Sequence, residues 1–170
     1  GKLLTSKIYA IAEFLLGQDV HFVSAEVHSR FGLATEIPPH QDNAYYGLED
    51  GQALTFYISL DNQTCESGGL QYIPNPSSVD LPHIASNSSG FSLRLADESI
   101  MNTTEAFCPS YSPGDCSIHH ARSIHSALAA PVDSSRCLVV RFSFYSCNAK
   151  KRNGHDEWYR SMINLNRSSI

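Results

Sequence analysis

Ala53-Leu-Thr-Phe-Tyr-Ile-Ser-Leu60 is the stretch whose reading decides the fold. It is dense in β-branched and aromatic residues, and its polar residues fall at alternate places. Asp61-Asn62 then stops it, so it reads as a strand rather than a turn of buried helix. Working outward, His21 to His28 precedes it as a plausible strand. Gly69 to Ile73 follows as a short one ended by Pro74. Asp115 to His119, Ile124 to Ala127 and Arg136 to Tyr145 complete the strand set, the last being the longest. Turn-rich pieces separate them: Ser67-Gly68-Gly69, Asn75-Pro76-Ser77-Ser78, Ser112-Pro113-Gly114-Asp115 and Asp133-Ser134-Ser135. Many short strands with little helix between them predict an all-β sandwich or jelly roll. Two helices are expected at the ends. One runs from Lys7 to Leu16, capped by Thr5-Ser6 and stopped by Gly17; the other is a short one over His155 to Asn164.

The 170 residues suit one domain, 1–170, with no internal repeat and no linker. Hydrophobic residues make up 42% and charged residues 17%, an ordinary globular composition rather than a disordered one. A net charge of -5 argues against nucleic acid as a partner, and Lys150-Lys151-Arg152 reads as a solvated turn. The apolar run Ile8 to Leu16 is too short for a membrane span and carries Glu13. No signal peptide is visible, and five cysteines without a CxxC pair suggest reduced thiols in a cytoplasmic protein. Four acceptor patterns for N-glycosylation, at Asn62, Asn87, Asn102 and Asn166, pull the other way, although a serine-rich chain collects such matches by chance. Nothing in the sequence speaks to oligomeric state.

Chemistry concentrates at His40-Gln41-Asp42. On a strand, residues two apart face the same side, so His40 and Asp42 can reach one ion while Gln41 points away. Pro38-Pro39 keeps helix from forming just before them. A third ligand must come from a neighbouring strand, and His119, His120 and His125 compete for it. His119 and His120 are read as hydrogen-bonded core histidines, leaving His125. Two imidazoles and a carboxylate suit iron, but the ligands alone leave zinc open.

With their surroundings these residues resemble the phytanoyl-CoA dioxygenase family of Fe(II)/2-oxoglutarate oxygenases, over about Val20 to Tyr145. The resemblance is carried by Pro38-Pro-His-Gln-Asp42, Gly68-Gly-Leu-Gln-Tyr-Ile-Pro74, Leu81-Pro-His83, Pro113-Gly-Asp115, His119-His-Ala-Arg-Ser-Ile-His125, and Arg136 eleven residues beyond His125. It implies a double-stranded β-helix, a cupin-like jelly roll, with an N-terminal helix. It also implies His40, Asp42 and His125 as iron ligands and Arg136 as the clamp for the distal carboxylate of 2-oxoglutarate. Arg141 is a competitor in the same strand. Five residues apart, the two face opposite ways, so one enters the barrel, and the offset favours Arg136. The resemblance further puts Ile58 where a large aromatic usually lines the co-substrate pocket, and His28 where a basic residue often stands.

The implied activity is hydroxylation of a small molecule by O2, with release of succinate and CO2. A carboxylate at Asp42, where related halogenases carry a small residue, favours hydroxylation. Departures from the family pattern are Asn75-Pro76-Ser77-Ser78 after Pro74 and Ala130 where asparagine is common. The chain also opens directly at a helix, short of the family's usual N-terminal region. Two alternatives compete: a cupin-like metal-binding jelly roll without 2-oxoglutarate chemistry, and a non-catalytic module with a vestigial site. Arg136 discriminates, because a structural metal site has no use for a buried cation beside it. The identity of the substrate is not legible.

Overall fold

A computed structural model describes residues 2–30, 35–74, 79–103, 105–130 and 137–167. Its elements in chain order are α1 (Lys2–Leu16), β1 (Val20–Arg30), β2 (Ile37–His40), α2 (Asn43–Tyr46), β3 (Ala53–Ser59), β4 (Leu70–Ile73), β5 (His83–Ser88), β6 (Phe91–Leu95), α3 (Ile100–Thr103), β7 (Cys116–His120), β8 (Ile124–Ala127), β9 (Cys137–Ser146) and α4 (His155–Arg167). The strands form an antiparallel four-stranded sheet of order β1-β9-β3-β7, a three-stranded sheet of order β2-β8-β4, and the hairpin β5-β6. This is a jelly-roll-like β sandwich, as expected.

The pleat of β3 sorts its residues between two cores. Leu54 and Phe56 join Phe144 of β9 and Ile8 and Ala12 of α1, so the helix covers the outer face of the larger sheet. Tyr57 points the other way and packs with Leu70, Ala127, Val139 and Tyr111 between the sheets. Alternation of side chains along the strand produces both layers from one run of sequence.

Several expectations shift in detail. α1 begins at Lys2, so Thr5-Ser6 lie inside the helix rather than capping it. β5 and β6 lie outside the expected strand set, and they join through Gly90, whose φ of 80° suits glycine. The hairpin packs beside β2, and α4 packs against the hairpin. Gly47 lets α4 approach: it ends α2 at φ 68°, and a Cβ there would lie 2.2 Å from the His155 ring.

The expectation of reduced thiols throughout is overturned at one pair. Cys65 and Cys108 form a disulfide, while Cys116, Cys137 and Cys147 are free. The pairing follows from local geometry: the 107–111 segment makes bridges Tyr111–Gln63 and Phe107–Tyr72, bringing the two cysteines together. Among the described residues no helix is long and apolar enough to cross a membrane.

Candidate metal centre

His40 ends β2 and pairs directly with His125 of β8. Asp42 does not continue the strand as expected. The backbone turns at Gln41, Asn43 N–H bonds to Ala121 O, and Asp42 O accepts from the N–H groups of Tyr45 and Tyr46, so Asp42 opens the short helix α2. Gln41 does point away, into a polar nest where its side chain bonds Val79 O, Arg122 O and Leu81 N–H. The turn thus achieves what a strand pleat was expected to do.

His40, Asp42 and His125 are 2–3% exposed. One ligand atom from each lies within 4.8 Å of the others. Their outer atoms are already committed. Nδ1 of His40 donates to Pro38 O at 2.8 Å and Nδ1 of His125 to Ser123 O at 3.1 Å, which leaves both Nε2 atoms as lone-pair donors. Oδ1 of Asp42 lies 3.8 Å from His40 Nε2 and 3.7 Å from His125 Nε2. Oδ2 turns outward and accepts from Thr55 Oγ1 at 2.7 Å, from His119 Nε2 at 3.2 Å and from Arg141 Nη2 at 3.2 Å.

Electrostatics agree with a ligand set. Burial pushes His40 down to about 4 and His125 well below the usual imidazole range, so both rings are neutral near pH 7. Burial alone would raise the Asp42 carboxyl, but the Arg141 charge and the hydrogen bond from His119 outweigh it and hold it well below the ordinary carboxylate range. Two neutral imidazoles and one ionised carboxylate, each oriented by a second hydrogen bond, are a donor set that fits Fe(II).

Two cavities meet at this centre. One, of about 520 Å³, is lined by Arg30, Ile37, Tyr57, Leu70, Val139 and His125, among others. The other, of about 680 Å³, is lined by Glu26, Asp42, Tyr45, Tyr46, the β5–β6 turn and Tyr159 of α4. His28, His40, Phe91 and Arg141 belong to both walls.

The remaining expected residues fall as follows. His28 lines both cavities, with Nε2 2.9 Å from Glu26 Oε2. Ile58 does not line the first cavity. The β3 pleat turns it toward α1 and the outer apolar cluster, and Tyr57 beside it lines the cavity instead. Arg136 lies outside the described residues. Arg141, ranked second on the sequence, enters the site: it stands opposite Tyr57 in the β3–β9 register and its guanidinium reaches Asp42. His119, expected as an ordinary core histidine, is buried but bonds to the Asp42 carboxylate. Its place two residues after Ser117 and level with Thr55 in the β7–β3 register carried the signal, had that pairing been known.

The family profile described as phytanoyl-CoA dioxygenase (PhyH) matches residues 4–136. No curated protein sequence matches the chain. Among solved structures, EvdO2 from Micromonospora carbonacea var. aurantiaca is 23% identical, with a TM-score of 0.70 over 88% of this chain and 62% of its own. The non-heme alpha ketoglutarate dependent epimerase SnoN from nogalamycin biosynthesis is 22% identical, with a TM-score of 0.66 over 85% of this chain and 54% of its own. The carbocyclase SnoK from the same biosynthesis is 19% identical, with a TM-score of 0.68 over 91% and 60%. The chain therefore spans little more than half the length of these structures, and the likeness at such identities establishes the fold.

Proposed function

The chain belongs to the phytanoyl-CoA dioxygenase family, whose enzymes use Fe(II) and 2-oxoglutarate, and on that premise we propose that it is a dioxygenase hydroxylating a small-molecule substrate. The observation that carries the reading is the convergence of His40, Asp42 and His125 where two cavities meet. These three residues would hold the iron. Bound there, iron and 2-oxoglutarate supply the activation of O2, with succinate and CO2 as co-products.

The first cavity suits the co-substrate. Its apolar walls, Ile37, Leu70 and Val139, match a short carbon chain, and an oxodicarboxylate needs a fixed cation at its far end. By its offset from His125, Arg136 is assigned that role. The entry of Arg141 does not exclude it, because the expectation that one of the two enters assumed a strand through residue 136, whereas β9 is described from Cys137. Arg141 is already engaged with Asp42, and Arg30 is tied to the carbonyls of Gly68, Thr35 and Leu128. The second cavity suits the substrate. Tyr45, Tyr46, Phe91 and Tyr159 give it an aromatic wall, while Glu26 and His28 give it a polar rim. Asp42 occupies the position that a halogenase must vacate for chloride, which favours hydroxylation.

Anaerobic titration of the apo-protein with Fe(II), then 2-oxoglutarate, then admission of O2 tests the reading. A metal-to-ligand charge-transfer band that appears only when both are present, followed by succinate release, is the expected result. Metal binding with no spectral response to 2-oxoglutarate overturns it in favour of a metal-binding jelly roll. Product analysis with candidate substrates then separates hydroxylation from other outcomes of the same site.

A further inference from the structure

We propose that His119 is a positioning residue of the metal centre, holding the outer oxygen of Asp42 at the end of a one-directional row of hydrogen-bond donors from Tyr111 through Ser117 and Tyr72. The inference rests on the metal-binding half of the reading above and not on its 2-oxoglutarate half.

The direction of the row follows from the chemistry of each member. An ionised carboxylate only accepts, so the 3.2 Å contact between His119 Nε2 and Asp42 Oδ2 requires the proton on Nε2. In that tautomer Nδ1 is an acceptor. The Tyr72 hydroxyl lies 3.2 Å from Nδ1 and donates to it. With its own proton spent, the Tyr72 oxygen accepts from Ser117 Oγ at 2.8 Å, and Ser117 accepts in turn from the Tyr111 hydroxyl at 2.9 Å. No member is asked to donate twice, and every proton points toward Asp42. Burial raises both tyrosines above their ordinary range, so they keep the protons that the row needs.

The fold places these groups without slack. Ser117 and His119 are two apart on β7 and share its inner face, and Tyr72 stands opposite His125 across the β4–β8 ladder. His119 is 4% exposed, and its ring centroid lies 4.5 Å from that of His125 and 5.5 Å from that of Tyr72. A ring wedged this way can rotate little, so it fixes Oδ2 and leaves Oδ1 facing the two Nε2 atoms. A histidine kept only for packing would not need both nitrogens directed in series.

Co(II), whose d–d bands report the ligand field without O2 or 2-oxoglutarate, is the probe. His119→Ala is expected to weaken Co(II) binding about 10- to 100-fold, the usual cost of losing a partner behind a ligand. His119→Gln, which can still donate from a similar place, is expected to recover most of the loss with a native-like spectrum. Tyr72→Phe, which frees the ring's far nitrogen, is expected to weaken binding in the same direction by less. Native Co(II) affinity and spectrum in a folded His119→Ala protein overturn the proposal. So does a spectrum showing that this variant has lost a nitrogen ligand, since His119 would then bind the metal itself. Should His119→Ala fail to fold, Tyr72→Phe decides: weaker Co(II) binding supports the row, and native binding overturns it. Co(II) binding with no response to 2-oxoglutarate would remove the proposed activity and leave this inference standing.

Discussion

Thr55 Oγ1 donates to Asp42 Oδ2 at 2.7 Å, the shortest of the contacts that orient this carboxylate. Thr55 is fully buried on β3, so no water can replace its hydroxyl if it is removed. Thr55→Val keeps the shape and deletes the bond. We expect metal affinity to fall about 10-fold, with a small change in stability. Thr55→Ser should retain most of the affinity. Calorimetric titration of the apo-proteins with Fe(II) under anaerobic conditions checks both, and equal affinity in all three proteins would contradict the assigned role.

Arg136 and Arg141 should separate cleanly by mutation. If Arg136 grips the distal carboxylate through two charge-assisted hydrogen bonds, Arg136→Ala weakens 2-oxoglutarate by at least ~100-fold while leaving the apo metal site intact. Arg141 touches Asp42, so Arg141→Ala should instead weaken the metal first, by leaving the buried carboxylate with fewer donors. Titration of each variant with Fe(II) and then 2-oxoglutarate, read on the charge-transfer band, distinguishes the two losses. A reversed pattern would make Arg141 the clamp.

The contrast between those arginines also marks where sequence reading reaches its limit. Strand periodicity predicts β3 and β9 because a half-buried strand writes its two faces into alternate residues, and for a strand running through both it predicts opposite faces for residues 136 and 141. It could not say which face was inner, since that depends on where α1 docks. Ile58 was misplaced for that reason: its face is the α1 face. His40 and Asp42 were legible as a pair because their spacing is a local property of the chain, whereas His125 was singled out from three histidines by the family resemblance. His119 was not, because its meaning lies in Tyr72 and Asp42, which stand 47 and 77 residues away. The Cys65–Cys108 disulfide was illegible for a similar reason, being set by bridges between segments 43 residues apart.

Acid should weaken the fold partly through Asp80. Burial would raise this carboxyl, but hydrogen bonds from Arg122 and Asn43 overcome that and hold it below its ordinary value. A carboxyl lowered on folding contributes stability above its unfolded pKa of about 3.9 and loses that contribution as pH falls through the lower folded value. Asp80→Asn should therefore lower the melting temperature near neutral pH and flatten its fall below about pH 4. Parallel melting curves for the two proteins across that range would count against it. Asp42 has the same sign, so the variant should flatten the slope without abolishing it.

Reduction should destabilise the protein without emptying the metal site. The Cys65–Cys108 bridge closes a loop across 43 residues, and neither cysteine lines a cavity at the centre. Closing a loop of that size restricts the unfolded chain by about 4 kcal/mol in the chain-entropy treatment, and measured values usually fall at about 2–4 kcal/mol. Cys108→Ser should lower the urea midpoint accordingly, and a phosphine reductant should bring the native protein to the same midpoint while leaving the variant unchanged. Fe(II) affinity should be equal in all of these samples at low urea, because the β2–β8 ladder joins the strands carrying His40 and His125 directly and neither cysteine lines a cavity at the centre. A midpoint insensitive to reductant in the native protein would mean that the two thiols are not bonded, and the expectation of reduced cysteines would then stand.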